Sequence, residues 1–204
     1  MSTGLPVVPV LPGPFDAMAC AETTRAALVG EPLVTGWLAP DITSANQVVT
    51  DLALLIQYVV EHGGAGYMLD DRSGVAVWHT SPQPPPTVAS LRRSTVDGGY
   101  ATRWTALEDL LYGAAGGTAR GHVLVLFVVT AGDDRAAALL GPHHAVLDAR
   151  QQTAYTAAFS ASVQRLLTRH GWTAAAPGRL PDGGSWWPMH RLPHTTHRGD
   201  TSNG

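Results

Sequence analysis

Apolar residues recur at helical spacing after Ser44: Val48, Leu52, Leu55 and Val59 share one face of a predicted helix. Ser44 and Gln47 stand in capping-box spacing at its start, and Gly63 supplies its stop. An earlier helix, capped by Asp16 and ending near Leu28, precedes a loop over 30–41 that carries Trp37. The pattern then changes period. Gly66–Leu69 and Gly74–Trp78 read as two strands around a turn at Asp70-Asp71-Arg72-Ser73. The prolines within 80–87 make that segment a loop, and Trp104, Leu107, Leu110 and Leu111 give a short helix before a Gly-rich link at 113–117. His122–Thr130 is almost wholly apolar and β-branched, as a central strand covered on both faces would be.

Beyond that strand, Gly141-Pro142 interrupts an Ala/Leu-rich stretch, and Pro142 is placed to open a helix reaching about Arg150. Thr153–Ser160 alternates as a strand, Ala161–His170 is a helix closed by Gly171, and 172–193 would supply a last hairpin. This order predicts an α/β fold with a mixed sheet. It divides into a Pro-rich arm over 1–15, a single domain over 16–193 and a disordered tail over 194–204.

Composition narrows the chemistry. A chain of 204 residues can bury a core without disulfides. All 13 basic residues are arginine, so Schiff-base chemistry and a phosphate-loop lysine are excluded. A net charge of -3 offers no basic field for nucleic acid. The one cysteine, Cys20, excludes an internal disulfide and reads as a buried apolar residue in a reducing cytoplasm rather than a nucleophile. The longest apolar run, Val123–Val129, falls far short of the roughly 20 residues a bilayer needs. The first fifteen residues lack a basic region ahead of an apolar one and do not read as a signal peptide. The expectation is a soluble cytoplasmic protein whose partner is a small molecule, neither nucleic acid nor membrane, with homodimerisation left open.

Several segments, in order, resemble bacterial acetyltransferases of the GNAT superfamily of N-acetyltransferases. They are Asp70-Asp71 leading to Gly74-Val75-Ala76-Val77-Trp78, His122 opening the central strand, Val146-Leu147-Asp148-Ala149-Arg150, Ala154-Tyr155, Arg169-His170-Gly171-Trp172 and Trp187-Pro188-Met189. The resemblance implies a GNAT-like mixed, splayed β-sheet flanked by helices, with acetyl-CoA held in the opening between two parallel strands. It also implies a glycine-rich loop cradling the cofactor's pyrophosphate at a helix N-terminus. Here that stretch runs from Thr130 through Gly132-Asp133-Asp134-Arg135-Ala136, shorter than the family pattern and without the paired glycines. If CoA is used, Val129, Arg135 and Ala136 are the positions that would hold it. The tyrosine that the family uses to protonate the departing thiolate is Leu167 here, and an acidic position following Ala154-Tyr155 is Ala157.

Nine histidines remain as the main titratable resource near neutral pH. His79 closes one strand and His122 opens another; in the resembled fold such strand ends approach the acceptor cleft, so both are candidate general acids or bases. The plainer reading makes each a hydrogen-bonded strand-end residue. Trp37, Trp104 and Tyr155 would wall an apolar substrate pocket. His143-His144 reads as exposed, His62 and His170 as helix caps, and Asp70-Asp71 as solvated turn residues. His190, His194 and His197 are broken by Pro193, so no metal site is expected. Three functions stay open. One is a GNAT-fold enzyme of specialised small-molecule metabolism, needing no cofactor, that cyclises, isomerises or eliminates through histidine acid/base catalysis. Another is an acyl-CoA-dependent N- or O-acetyltransferase, and the third a non-catalytic ligand-binding module.

Overall fold

The computed structural model describes residues 5–28, 38, 42–80, 86–87, 91, 98–113, 122–130, 132–180 and 183–194. Trp37, the 113–117 link beyond its first residue, the Ser44 side chain and the end of the chain from 195 lie outside them. The described elements are β1 (Val7–Pro9), α1 (Pro14–Leu28), α2 (Ile42–Glu61), β2 (Ala65–Leu69), β3 (Gly74–His79), α3 (Gly98–Gly113) and β4 (His122–Val129). There follow α4 (Asp133–Arg150), β5 (Ala154–Ala158), α5 (Ala161–Arg169), β6 (Thr173–Ala174), β7 (Gly178–Arg179) and β8 (Ser185–Arg191). No helix among the described residues is long and apolar enough to cross a membrane.

The strands form one mixed sheet in the order β1-β2-β3-β4-β5-β8-β6, with β7 also paired to β8. The expected arm is part of that sheet: Val7, Val8 and Pro9 pair with Leu69, Met68 and Tyr67. Every pairing is antiparallel except β4 with β5. That exception organises the molecule. β4 and β5 are in register only at His122↔Ala154 and Val123↔Tyr155. Beyond this apex they part.

Alternation along the strands sends side chains to two separate layers. Val75, Val77 and Val128 pack with α1, α2 and α3 on one face. Ala76, Trp78 and Leu124 pack with α4, α5, Trp172 and Met189 on the other. Cys20 lies in the first layer with no exposed surface, and burial pushes its thiol up to about 12. It is an inert core residue. Gly63 ends α2 at φ +84, and a Cβ on Gly74 would meet the Leu139 side chain at 2.7 Å, which is why β3 can begin beneath α4.

Two sequence expectations need correction. Pro142 does not start a helix; it sits inside α4, which runs unbroken from Asp133. Its missing N–H removes one bond to the preceding turn. The buried residues Ala136, Leu139, Leu140, His143 and Leu147 fasten the helix to the sheet on both sides of that defect. His143 is therefore 3% exposed in mid-helix, not on the surface. α3 is also longer than the expected short helix and is inserted between β3 and β4, strands that neighbour each other in the sheet.

Candidate functional site

The parting of β4 and β5 opens a cleft of about 200 Å³ through the plane of the sheet. Leu28, Val48, Leu52 and Leu55 of α1 and α2 line one side, and Val163 and Leu167 of α5 line the other. α3 contributes Trp104, Glu108 and Leu111, whose spacing puts them on one helical face. α3 is held in place by a buried polar contact. The Tyr100 hydroxyl donates to Asp51 Oδ2 at 2.7 Å, and Gln47 Nε2 donates to Asp51 Oδ1 at 3.2 Å.

The polar inventory of the cleft is short. Thr156 Oγ1 donates to the Leu124 carbonyl at 2.8 Å, and Ser160 Oγ accepts from Val163 N–H as the N-cap of α5. Among the described lining residues Glu108 is the one ionisable group, and it is 8% exposed. Sequence reasoning did not single out Glu108. Its spacing from Trp104 and Leu111 was the signal available, since it makes Glu108 a carboxylate on an otherwise apolar face.

β4 itself is irregular. Val77 pairs with Leu126 but Trp78 with Leu124, so Val125 is an extra residue on β4. Such a bulge leaves one residue out of the ladder and bends the strand. On its other edge β4 has no strand partner among the described residues from Leu124 onward, although the Leu124 carbonyl accepts the Thr156 hydroxyl. An unpaired strand edge accepts another extended chain carrying amide groups.

A second hollow, of about 400 Å³, lies at the mouth of the splay between Val129, Gly132 and Asp133 on one side and Ser162, Leu166 and Arg169 on the other. Gly132 caps α4 with φ 89° and offers no side chain, so the N-cap makes no side-chain hydrogen bond to the first-turn N–H groups. Asp133 is the N-terminal residue of α4 and accepts Nε of Arg169 at 3.0 and 3.1 Å and Nη2 at 2.7 Å. This fork holds the Asp133 carboxyl below the usual carboxylate range. Arg135 faces elsewhere: it donates to Ser73 Oγ at 2.9 Å and to Asp71 at 3.2 Å, tying α4 to the β2–β3 turn. Among the described residues the cation at this hollow is Arg169, and Ala136 is fully buried and does not line it.

The remaining sequence candidates separate. Trp104 lines the cleft and Val129 lines both cavities, whereas Tyr155 is among the lining residues of neither. His79 and His122 do not line the cleft and lie on opposite sides of the sheet. His79 meets the Tyr112 ring edge-on at 6.0 Å on the α3 side, and burial pulls its basicity down. His122 Nδ1 lies 2.8 Å from His143 Nε2 on the α4 side, and burial depresses it too. The Tyr112 hydroxyl is buried without a hydrogen-bond partner among the described residues, and burial together with Glu108 raises its pKa. His62 does cap α2, with Nδ1 2.8 Å from the Tyr58 carbonyl. Asp71 is an exposed turn residue that accepts from Ser73 N–H at 2.9 Å. No group of three or more potential ligands suits a metal among the described residues.

No protein-family model matches the chain, and no curated protein matches its sequence. Solved structures do match. A polyamine N-acetyltransferase from Drosophila melanogaster, an enzyme that forms N-acetylagmatine, superposes with a TM-score of 0.62 at 14% identity, over 92% of this chain and 100% of that one. This chain has the GNAT acetyltransferase fold. A histone acetyltransferase HPA2 and related acetyltransferase from Corynebacterium glutamicum matches with a TM-score of 0.60 at 15% identity, over 96% and 99% of the two chains. A mutant agmatine N-acetyltransferase in its apo form matches at 0.55 and 14% identity, over 91% and 99%. The splayed parallel pair and the helices on both faces are the GNAT features here. The insertion of α3 sets what the cleft offers.

Proposed function

We propose that this chain is an acyl-CoA-dependent N- or O-acyltransferase that works where β4 and β5 part. The observation that carries the reading is the β4 edge, free of strand partners among the described residues from Leu124 and facing an apolar cleft that leads to an open hollow. Such an edge fits the amide-bearing arm of CoA. The uncapped first turn of α4 and Arg169 fit its diphosphate, for which Asp133 is a competitor. Acyl-CoA, when bound, supplies a thioester carbonyl as the electrophile.

The protein's own part is positioning and exclusion of water. The β4 edge orients the arm, and the leucine and valine walls keep bulk water from the thioester. Glu108 is the lining group able to take a proton from an attacking nucleophile. Leu167 stands in the cleft at the family's tyrosine position and has no proton to give. The proton that the departing sulfur needs would then originate on the attacking group: the second nitrogen proton of an amine, or the single hydroxyl proton of an alcohol returned through Glu108. A cyclase or isomerase driven by His79 and His122 has weaker support, because the two rings lie on opposite sides of the sheet.

Calorimetric titration with acetyl-CoA tests the reading. The expected result is saturable binding with a Kd of roughly 1–100 μM, weakened about tenfold or more in Arg169→Ala, since a charged hydrogen bond contributes about 1.5–3 kcal/mol. Absence of heat at millimolar ligand overturns it.

A further inference from the structure

The hollow and the cleft adjoin: Phe127, Val129 and Val163 line both. An arm laid along the β4 edge from the hollow therefore brings its sulfur end to where the cleft begins. We propose that the acyl group it carries is a hydrocarbon chain of about six to eight carbons rather than acetyl, and that the chain fills the cleft between α2 and α5. The proposal rests on the acyltransferase reading and adds to it the class of acyl donor.

Size is the first argument. The cleft holds about 200 Å³, whereas an apolar cavity of about 150 Å³ is already enough to take up benzene. The methyl of an acetyl group would leave most of this space empty. Side chains around such a void lose contacts on one side, and keeping the void open costs stability. A longer chain restores those contacts. Small residues make the room for it, since Ala27 of α1 and Ala157 of β5 both border the cleft.

The chemistry of the walls is the second argument. Apart from Glu108 on α3, the polar side chains of the described lining are engaged. Thr156 Oγ1 donates to the Leu124 carbonyl at 2.8 Å. Ser160 Oγ accepts the Val163 N–H at 3.3 Å and lies 2.8 Å from Ser162 Oγ. Leu167 is 1% exposed and puts hydrocarbon where the family's tyrosine would put a hydroxyl, which a chain lying against it would cut off from water. An alkyl chain thus enters without stripping a polar group of its partner, and each methylene buried favours binding by about fourfold.

The test is a calorimetric series with CoA and with acetyl-, butanoyl-, hexanoyl-, octanoyl- and dodecanoyl-CoA, on the wild type, Leu55→Phe and Leu55→Ala. Wild-type affinity is expected to rise at least about 100-fold from acetyl- to octanoyl-CoA, less than the sum over methylenes because the chain loses freedom, and to rise no further at dodecanoyl-CoA. Leu55→Phe should move the best fit toward butanoyl-CoA, and Leu55→Ala toward chains about two carbons longer, with circular dichroism confirming that each is folded. If a variant does not fold, the wild-type series decides alone. Affinities within about threefold of one another from acetyl- to octanoyl-CoA, with CoA itself bound, overturn the inference and leave the acyltransferase reading standing. A rise that continues undiminished to dodecanoyl-CoA overturns it too, because the chain then lies on an open surface. So does a best chain length that is the same in both folded variants. Silence toward CoA and all of its esters overturns the acyltransferase reading and the inference with it.

Discussion

Acidification from pH 6.5 to 4 is expected to remove on the order of 6 kcal/mol of stability, enough to unfold a domain of ordinary stability. The cause is the pair His143-His144 on α4. His143 is 3% exposed, stacked on Trp78 at 4.2 Å and bonded to His122. Tyr67 stands edge-on to it, and Arg150 adds positive charge nearby. His144 lies beside Trp172 and feels Arg191, His170 and His194 against the single negative charge of Asp148. Burial is the largest influence on both, and each is held down to about 3.

The sign follows directly. A histidine depressed in the folded state binds its proton more readily when unfolded, so stability is full above the unfolded value near 6.5 and is lost as pH falls toward 3. Each contributes about 1.4 kcal/mol per pH unit within that window. Urea denaturation at pH 7, 6, 5 and 4 reads the slope. Replacing His143 with Phe keeps the stacking on Trp78 and should remove about half of it. Equal stability at pH 7 and pH 4 in the wild type would show that the buried His143 and the half-buried His144 are not held neutral by the fold.

Asp148→Ala is expected to destabilise the protein by about 3–5 kcal/mol, because it strands a buried guanidinium. Arg191 is 2% exposed and donates through Nη2 to Asp148 Oδ2 at 2.8 Å, and Asp148 Oδ1 also accepts the His194 N–H at 2.8 Å. The Arg191 hydrogen bond is the main influence holding the Asp148 carboxyl below its usual range. Its stabilisation is thus present above about pH 4 and fades below it, beneath the window of the histidines. Urea denaturation at pH 7 measures the loss. Combining Asp148→Ala with Arg191→Met should recover much of it, since the buried charge goes with its partner. A cost under about 1 kcal/mol for Asp148→Ala alone would mean that Arg191 is solvated or paired by other groups.

The architecture was legible where one periodicity dominates. α2, the β2–β3 hairpin and β4 each follow from a single unbroken pattern, and the ordered motifs point to a splayed GNAT-like sheet. α4 was not legible, because local chemistry and tertiary packing disagree there. Gly141-Pro142 reads as a break, and burial of Leu139, Leu140, His143 and Leu147 overrides it. Misplacing the helix start also put His143 and His144 in a solvent-exposed first turn and hid the cluster on which the expected acid response rests. The site was half legible. Trp104 came through as a large apolar residue on a helix, whereas Glu108 drew no notice because isolated glutamates are usually surface residues. Arg169, and not Arg135, stands at the hollow because Asp71 and Ser73 of the turn engage Arg135, a long-range contact that no spacing encodes.

Thiol release from acetyl-CoA, followed continuously with and without 2-phenylethylamine, tests acyl transfer at the splay most directly. The expected result is release that depends on the amine, saturates with it and matches the amide formed mole for mole by mass spectrometry. Folded protein that releases thiol at the same rate with and without any primary amine or alcohol, and forms no acylated product, would contradict it.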